Sequence, residues 1–338
     1  MYRTSRNSLS NNKNKPFLLK PTGKDYLWGG NRLNYDFGKN IALSPLSETW
    51  ECSTHPDGPS TVASGKFEGL PLAEVLKSHP ELLGTHPRTQ GELPILIKLI
   101  DAKKDLSVQV HPDDEYAMEH ENGQLGKTEM WYVLDAAPDT KLVYGLHHKV
   151  SKEKIRNAIE TGKLEKYLQT VSVKKDDIYY NEAGTIHAIG AGALIAEIQE
   201  NSNLTYRLYD YDRVDKNGQK RTLHVDKALE VANLEGSREP KQPMRVLKYR
   251  PGWASELLCR CKHFQVERIM LNTETNRNMV PFQVGDVSFN VLLCLSGTGS
   301  IFFGKEALSF FKGDCIFVPA DSVEMKIHGK ASMLKVSC

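Results

Sequence analysis

The chain has 338 residues, 40% of them hydrophobic, enough to bury a sizeable core and long enough to favour two domains over one. Its formal net charge is only +2, so no global field argues for nucleic acid or a membrane surface, and affinity for an anionic substrate has to come from a local cluster. Cys52, Cys259, Cys261, Cys294, Cys315 and Cys338 contain no Cys-x-x-Cys pair and read as reduced thiols of a cytoplasmic protein, with Cys259 and Cys261 as strand residues rather than metal ligands.

Residues 1–15, rich in Asn, Ser, Lys and Arg, lack the apolar core of a secretory signal and read as a disordered tail. From 16 to 145, from 172 to 210 and from 245 to 338, short β-branched and aromatic runs alternate with Gly, Pro and Asp turns, as in double-sheet jelly rolls or barrels. Helical signals lie at 71–77, 151–169 and 224–233; in the second, Ile155, Ala158, Ile159, Leu164, Tyr167 and Leu168 recur at helical spacing among Lys and Glu. Apolar stretches such as Val291–Leu295 are strand-sized, and none approaches the length of a membrane-crossing helix. The expectation is a mainly β fold of two jelly-roll β-barrel domains, 16–240 and 245–338, the first carrying a helical insertion at about 151–170.

Three segments of the first domain carry chemistry. Leu106–Asp114 contains Gln109 and His111, which an extended strand directs to one face while Val108 and Val110 take the other. Glu129 precedes the strand-like run Met130–Leu134, and His187 follows a Gly-containing turn, so each can deliver a ligand from a different strand. A lone buried His is more often a hydrogen-bonded core residue, but an amide, two imidazoles and a carboxylate have no ordinary reason to converge in an apolar strand-rich region. Such nitrogen and oxygen donors suit zinc, with iron, cobalt or manganese as alternatives.

These segments resemble the type I mannose-6-phosphate isomerases in their shorter bacterial form. The matching stretches are Tyr26–Gly30, Glu48–Glu51 with Ser53–Pro56, Leu93–Ala102, Gln109–Pro112, Gly126–Tyr132, Gly184–Gly190, Ile195–Ser202 and Thr205–Arg213, so that the resemblance runs over residues 16–338. It implies two cupin domains, one zinc per chain held by Gln109, His111, Glu129 and His187, and interconversion of mannose 6-phosphate and fructose 6-phosphate by metal-assisted proton transfer through an enediolate. It further implies that Arg207 is an active-site arginine, that Lys98 and Lys127 lie near the substrate, and that Glu197 is a carboxylate close to the metal and the candidate for proton transfer.

Each has a plainer alternative. Arg207 could pair with Asp210 or Asp212, Lys98 could alternate outward on its strand, Lys127 could be a solvated loop charge, and Glu197 could hold Arg207 or a ligand histidine in place. Trp28, Trp131 and Tyr206 could line a sugar pocket or fill a core. Other functions compatible with the pattern are another cupin sugar-phosphate isomerase or epimerase, or a non-catalytic sugar-binding bicupin.

The second domain carries a near-repeat of the first, Gly313–Ala320 aligning with the stretch from Asp177 to Ala183 and both resembling the second cupin motif. Asp176 and Glu182 occupy the usual Gly and Pro positions of the first copy. In the second copy Glu324 stands where His187 stands in the first, and no ligand pair precedes Leu295–Gly299, so the C-terminal domain is expected to be metal-free.

Overall fold

The computed structural model describes residues 13–89, 91–215, 217–237, 240, 242–275 and 278–338. Of the tail expected over 1–15, residues 1–12 lie outside the described residues. Asn14 makes a parallel bridge to Ser322 and Lys13 pairs with Asp321 at 2.9 Å, so the end of that segment is anchored. The chain divides into two compact units, one of residues 13–20, 60–94 and 245–338, the other of residues 21–59 and 95–244. Residues 16–20 and 60–94, read from sequence as part of a continuous 16–240 domain, run instead with the C-terminal unit. The cause is strand pairing: Phe17–Lys20 lies antiparallel to Cys315–Val318 on one side and to Thr61–Val62 on the other.

That unit is a ten-stranded antiparallel sheet whose strand order does not close into a ring. Its two longest strands, Asn290–Phe303 and Met325–Ser337, pair with each other through most of their length. Along the first half of Met325–Ser337 burial alternates residue by residue, Met325, Ile327 and Ala331 inward and Lys326, His328 and Lys330 toward solvent or the rim, the period of two a one-sided sheet requires. The interior is apolar, with Ile269, Leu292, Phe310 and Met333 fully buried together. Glu324, at the position of the missing histidine, is exposed and does not enter this interior.

The second unit is a two-sheet jelly roll. Its six-stranded sheet runs in the order Ile178–Asn181, Glu129–Ala136, Ala193–Glu200, Ile95–Asp101, Glu48–Cys52, Thr22–Lys24, and its five-stranded sheet in the order Tyr206–Tyr209, Val108–Val110, His187–Ile189, Lys141–Leu146, Leu168–Ser172. Ile95–Asp101 and Ala193–Glu200 are buried at every residue, which places polar Lys98, Glu197 and Gln199 inside the sheet layers.

The helices are short. Leu72–Ser78 and Val225–Val231 fall where periodicity predicts, the first in the C-terminal unit. The helix expected over 151–169 is real only as Lys152–Glu160, capped by the Ser151 hydroxyl accepting from Lys154 N–H and burying Ile155 and Ala158. Gly162, at φ 64°, ends it, and Leu168–Ser172 pairs as a strand with Lys141–Leu146. No described helix is long and apolar enough to cross a membrane.

Candidate active site

Strand register sets the site. Residues directly opposite in antiparallel strands share a face. On the six-stranded sheet Trp50, Lys98, Glu197, Trp131 and Tyr179 form one such row, and Gln199, Glu129 and Asn181 the next. On the other sheet the corresponding row is Arg207, Gln109, His187 and Tyr144. His111 lies one residue beyond its strand, in the turn that begins the Asp114–His120 helix.

The two sheets bring His111, Glu129 and His187 together as a fully buried group whose ligand atoms lie within 4.8 Å of one another. Nδ1 of His111 is 2.7 Å from the Leu204 carbonyl oxygen and Nδ1 of His187 is 2.8 Å from that of Thr185. A carbonyl can only accept, so each Nδ1 carries the proton and each neutral ring turns its Nε2 lone pair inward. Those atoms face Glu129 at 3.5 Å and 3.2 Å. Burial first, and then the charge of Lys127, pushes His111 down to about 3; burial likewise lowers His187. At neutral pH, then, these contacts set acceptors against acceptors, and His111 Nε2 with both Glu129 oxygens lacks a hydrogen-bond partner. Buried acceptors in that arrangement fit a cation. Gln109 completes the group, its amide nitrogen 3.4 Å from His187 Nε2. Exchanging amide O and N leaves its shape unchanged and turns an oxygen ligand toward the cluster.

Lys127 Nζ lies 3.1 Å from Glu129. Burial opposes charge on Glu129, but the ammonium of Lys127, the largest opposing influence, holds this carboxyl well below the usual range. Lys127 is thus buried and tied to a ligand, not a solvated loop charge. Lys98 is also buried, above the Trp50 ring at 4.7 Å, with Glu197 at 3.3 Å and Glu48 at 3.9 Å. Its burial works against its charge, but the carboxylates outweigh that cost and its pKa is raised, so it stays protonated. Glu197 accepts from Trp131 Nε1 at 3.0 Å, and burial, reinforced by the charge of Glu129, raises its pKa despite the two lysines. Its other oxygen, Oε1, is the one 3.3 Å from the Lys98 ammonium and makes no further hydrogen bond.

A cavity of about 120 Å³ opens on this region, lined by Lys98, Gln109, Lys127, Glu197 and Arg207 and, among residues not singled out in the sequence, by Tyr26, Glu48, Asn203, Thr205 and Arg221. Arg207 makes neither of the ion pairs weighed for it: Asp210 is taken by Arg213 and Arg221, and Asp212 by Lys220. Its half-buried guanidinium keeps an Nε without a partner. Trp28 lines the cavity and stacks on Tyr26 at 5.6 Å, and Trp131 reaches the site through its hydrogen bond to Glu197. Tyr206 turns away, its hydroxyl on Glu121 at 2.6 Å. Glu48 had a sequence signal, as the first residue of the matching stretch Glu48–Glu51; Arg221 sits in a loop without one.

Two family models match the chain, phosphomannose isomerase type I, catalytic domain, over residues 17–137, and mannose-6-phosphate isomerase, cupin domain, over residues 258–338. Mannose-6-phosphate isomerase ManA of Bacillus subtilis is 38% identical over 325 residues, covering 95% of this chain and 98% of that protein. The chain belongs to the type I mannose-6-phosphate isomerase family. Within that family, a Streptococcus mutans mannose-6-phosphate isomerase is 37% identical over 306 residues, covering 90% of this chain and 92% of that one. The crystal structure of the mannose 6-phosphate isomerase from Bacillus subtilis superposes with a TM-score of 0.88 at 35% identity, covering 96% of this chain and all of the other. Family membership makes the chain an isomerase of the cupin fold.

Proposed function

We propose that this chain interconverts mannose 6-phosphate and fructose 6-phosphate, with one zinc ion held by Gln109, His111, Glu129 and His187. The observation that carries the reading is the cavity itself: a buried donor set that fits a cation, a carboxyl with raised basicity, and an arginine free of protein carboxylates line or adjoin one small space. The substrates follow from the relatives, which are mannose-6-phosphate isomerases.

Moving a carbonyl between C1 and C2 of an open-chain hexose requires a proton to leave C2 and arrive at C1, while one hydroxyl proton is lost from O2 and one gained at O1. Zinc, when bound, supplies Lewis-acid polarisation and charge stabilisation for such a reaction. Glu197 is the base for the carbon-bound proton: Oε2 is fixed by Trp131, Oε1 faces the Lys98 ammonium at 3.3 Å without a hydrogen bond, and a raised pKa makes its carboxylate a better base than an exposed one. Lys98, kept protonated between Glu197 and Glu48, offers a donor for oxyanion charge at the cavity wall. Arg207 supplies a further cation toward the substrate, and Lys127 holds Glu129 ionised. A family-level alternative, another sugar-phosphate isomerisation, is separated by assay. Conversion of mannose 6-phosphate to fructose 6-phosphate, coupled to a fructose 6-phosphate-specific readout and run beside glucose 6-phosphate, supports the proposal if only the mannose ester turns over; turnover of the glucose ester alone overturns the substrate assignment.

A further inference from the structure

The C-terminal unit gathers thiols at the end of one hairpin. Its strands Trp253–Arg260 and Gln265–Asn272 run antiparallel with Arg260 opposite Gln265 as the last pair, and Cys261 N–H donates to the Phe264 carbonyl at 3.0 Å across the turn. Side chains two residues apart on an extended strand share a face, and the thiols of Cys259 and Cys261 meet there in a hydrogen bond. Cys338 follows Ser337, which stands opposite Gln265 on the neighbouring strand. Cys259 and Cys261 are both partly exposed, whereas Cys52, Cys294 and Cys315 are fully buried. No cysteine belongs to a group of described residues tight enough to hold a metal ion.

The surroundings make the two thiols unequal. Sγ of Cys261 receives the Cys259 S–H, the His263 N–H at 3.4 Å and the Phe264 N–H. The hydrogen bond from Cys259 is the largest influence on Cys261; burial works against it, the two amides add to it, and the Cys261 thiol ionises below its usual range. While protonated it donates to the Phe264 carbonyl at 3.5 Å, and that carbonyl keeps the Cys261 N–H when the proton leaves. Cys259 is pushed up by the same hydrogen bond, then by burial and by the charge of Cys261, so it retains its proton. Burial pushes the Cys338 thiol up to about 12, so it does not compete as a thiolate. The hairpin therefore presents one accessible thiolate with a second thiol already in contact.

We propose that Cys261 is a hydroperoxide-reactive thiol and that Cys259 resolves its oxidised form into a reversible Cys259–Cys261 disulfide. The Cys261 thiolate attacks one peroxide oxygen: an S–O bond forms, the O–O bond breaks, and the departing hydroxide takes up a proton as water. The Cys259 thiol then attacks the sulfenic sulfur: an S–S bond forms, the S–O bond breaks, and the hydroxyl leaves as water with the Cys259 proton. Two thiols lose two electrons in all, and one hydrogen peroxide becomes two waters. Once Cys261 carries oxygen, the charge that helps hold the Cys259 proton is gone, which frees the second thiol for its step. Two residues of extended chain span about 6.6 Å, within the Cα separation that a disulfide bridges, so the hairpin need not open. The disulfide stops Cys261 short of the irreversible sulfinic acid, and a dithiol reductant restores both thiols.

The full-length protein is treated with a stoichiometric amount of hydrogen peroxide at neutral pH, its remaining thiols are alkylated, and it is digested without reductant. Trypsin cuts after Arg260, so Cys259 and Cys261 fall on separate peptides that only the disulfide joins. Mass spectrometry is expected to show that linked pair as the main oxidation product and to lose it after dithiothreitol. Cys259→Ser, whose hydroxyl keeps a donor to Cys261, removes the resolving thiol. Dimedone, which traps sulfenic acids, is expected to label Cys261 in Cys259→Ser about tenfold more than Cys259 in Cys261→Ser. The wild-type mapping needs neither variant, so a folding failure in one leaves the result readable. No linked pair even in excess peroxide, or Cys261 joined instead to Cys338, would overturn the proposed pair. Equal dimedone labelling of the two variants would overturn the assignment of Cys261 as the attacking thiol.

Discussion

Lys98 and Glu197 stand directly opposite one another in the antiparallel pairing of Ile95–Asp101 with Ala193–Glu200, and their charged groups meet at 3.3 Å inside the protein. The contact is a buried pair with a third member, Glu48, 3.9 Å from the same ammonium. Removing the lysine leaves two buried carboxylates without their cation. Lys98→Met is therefore expected to lose about 3–5 kcal/mol of stability in denaturant unfolding, as a broken buried pair does. A loss below 1 kcal/mol would show that the carboxylates are simply neutral and that the pair is not what holds this row.

The pH dependence follows from Glu197. Burial, with the charge of Glu129, raises its pKa above the ordinary 4.5, and the proposed base acts as carboxylate. Activity is then present above the raised pKa and lost as pH falls through it, so the acid limb of kcat/KM is expected at a pH higher than an exposed glutamate would give. Glu197→Gln is expected to abolish turnover while retaining metal. A variant with the same acid limb and substantial activity would assign the limb, and the proton transfer, to another group.

Metal binding is testable residue by residue. His111→Ala and His187→Ala each delete a neutral imidazole whose Nε2 points at Glu129, and each is expected to purify with far less than one zinc per chain by elemental analysis, with activity lost in parallel. Full metal occupancy in both variants would contradict the assigned ligand set.

The C-terminal unit offers the contrast. Glu324 is exposed although it aligns with His187 in the internal repeat, so Glu324→Ala is expected to change stability by no more than about 0.5 kcal/mol and to leave metal content and kcat/KM at wild-type values. Loss of a metal equivalent in this variant would place a second site in that unit.

Much of the site was legible in sequence because its residues contradict their surroundings. Lys98 among Leu96, Ile97, Leu99 and Ile100, and Glu197 between Ala196 and Ile198, are charges where an apolar run predicts none. Whether Lys98 faced in or out was not legible, since alternation is symmetric until register is known; the pairing with Glu197 and Trp50 decides it. Arg221 was not legible, because it reaches the cavity from a loop through Asp210 and no local pattern encodes that reach. The helix expected to continue past Glu160 stops because Gly162 adopts a left-handed conformation, after which Leu168 and Val171 bury as strand residues, although their spacing of three suits a helix face. The grouping of residues 60–94 with the C-terminal unit depends on Phe17–Lys20 pairing with strands distant in sequence, which composition cannot reveal.

The most direct measurement of the central claim is a coupled assay of mannose 6-phosphate conversion to fructose 6-phosphate on the purified chain, before and after chelation and again after zinc is restored. The account predicts turnover that chelation abolishes and that about one equivalent of zinc per chain returns. Undiminished turnover in protein shown by elemental analysis to be metal-free, or no turnover in protein carrying a full equivalent of zinc, would contradict it.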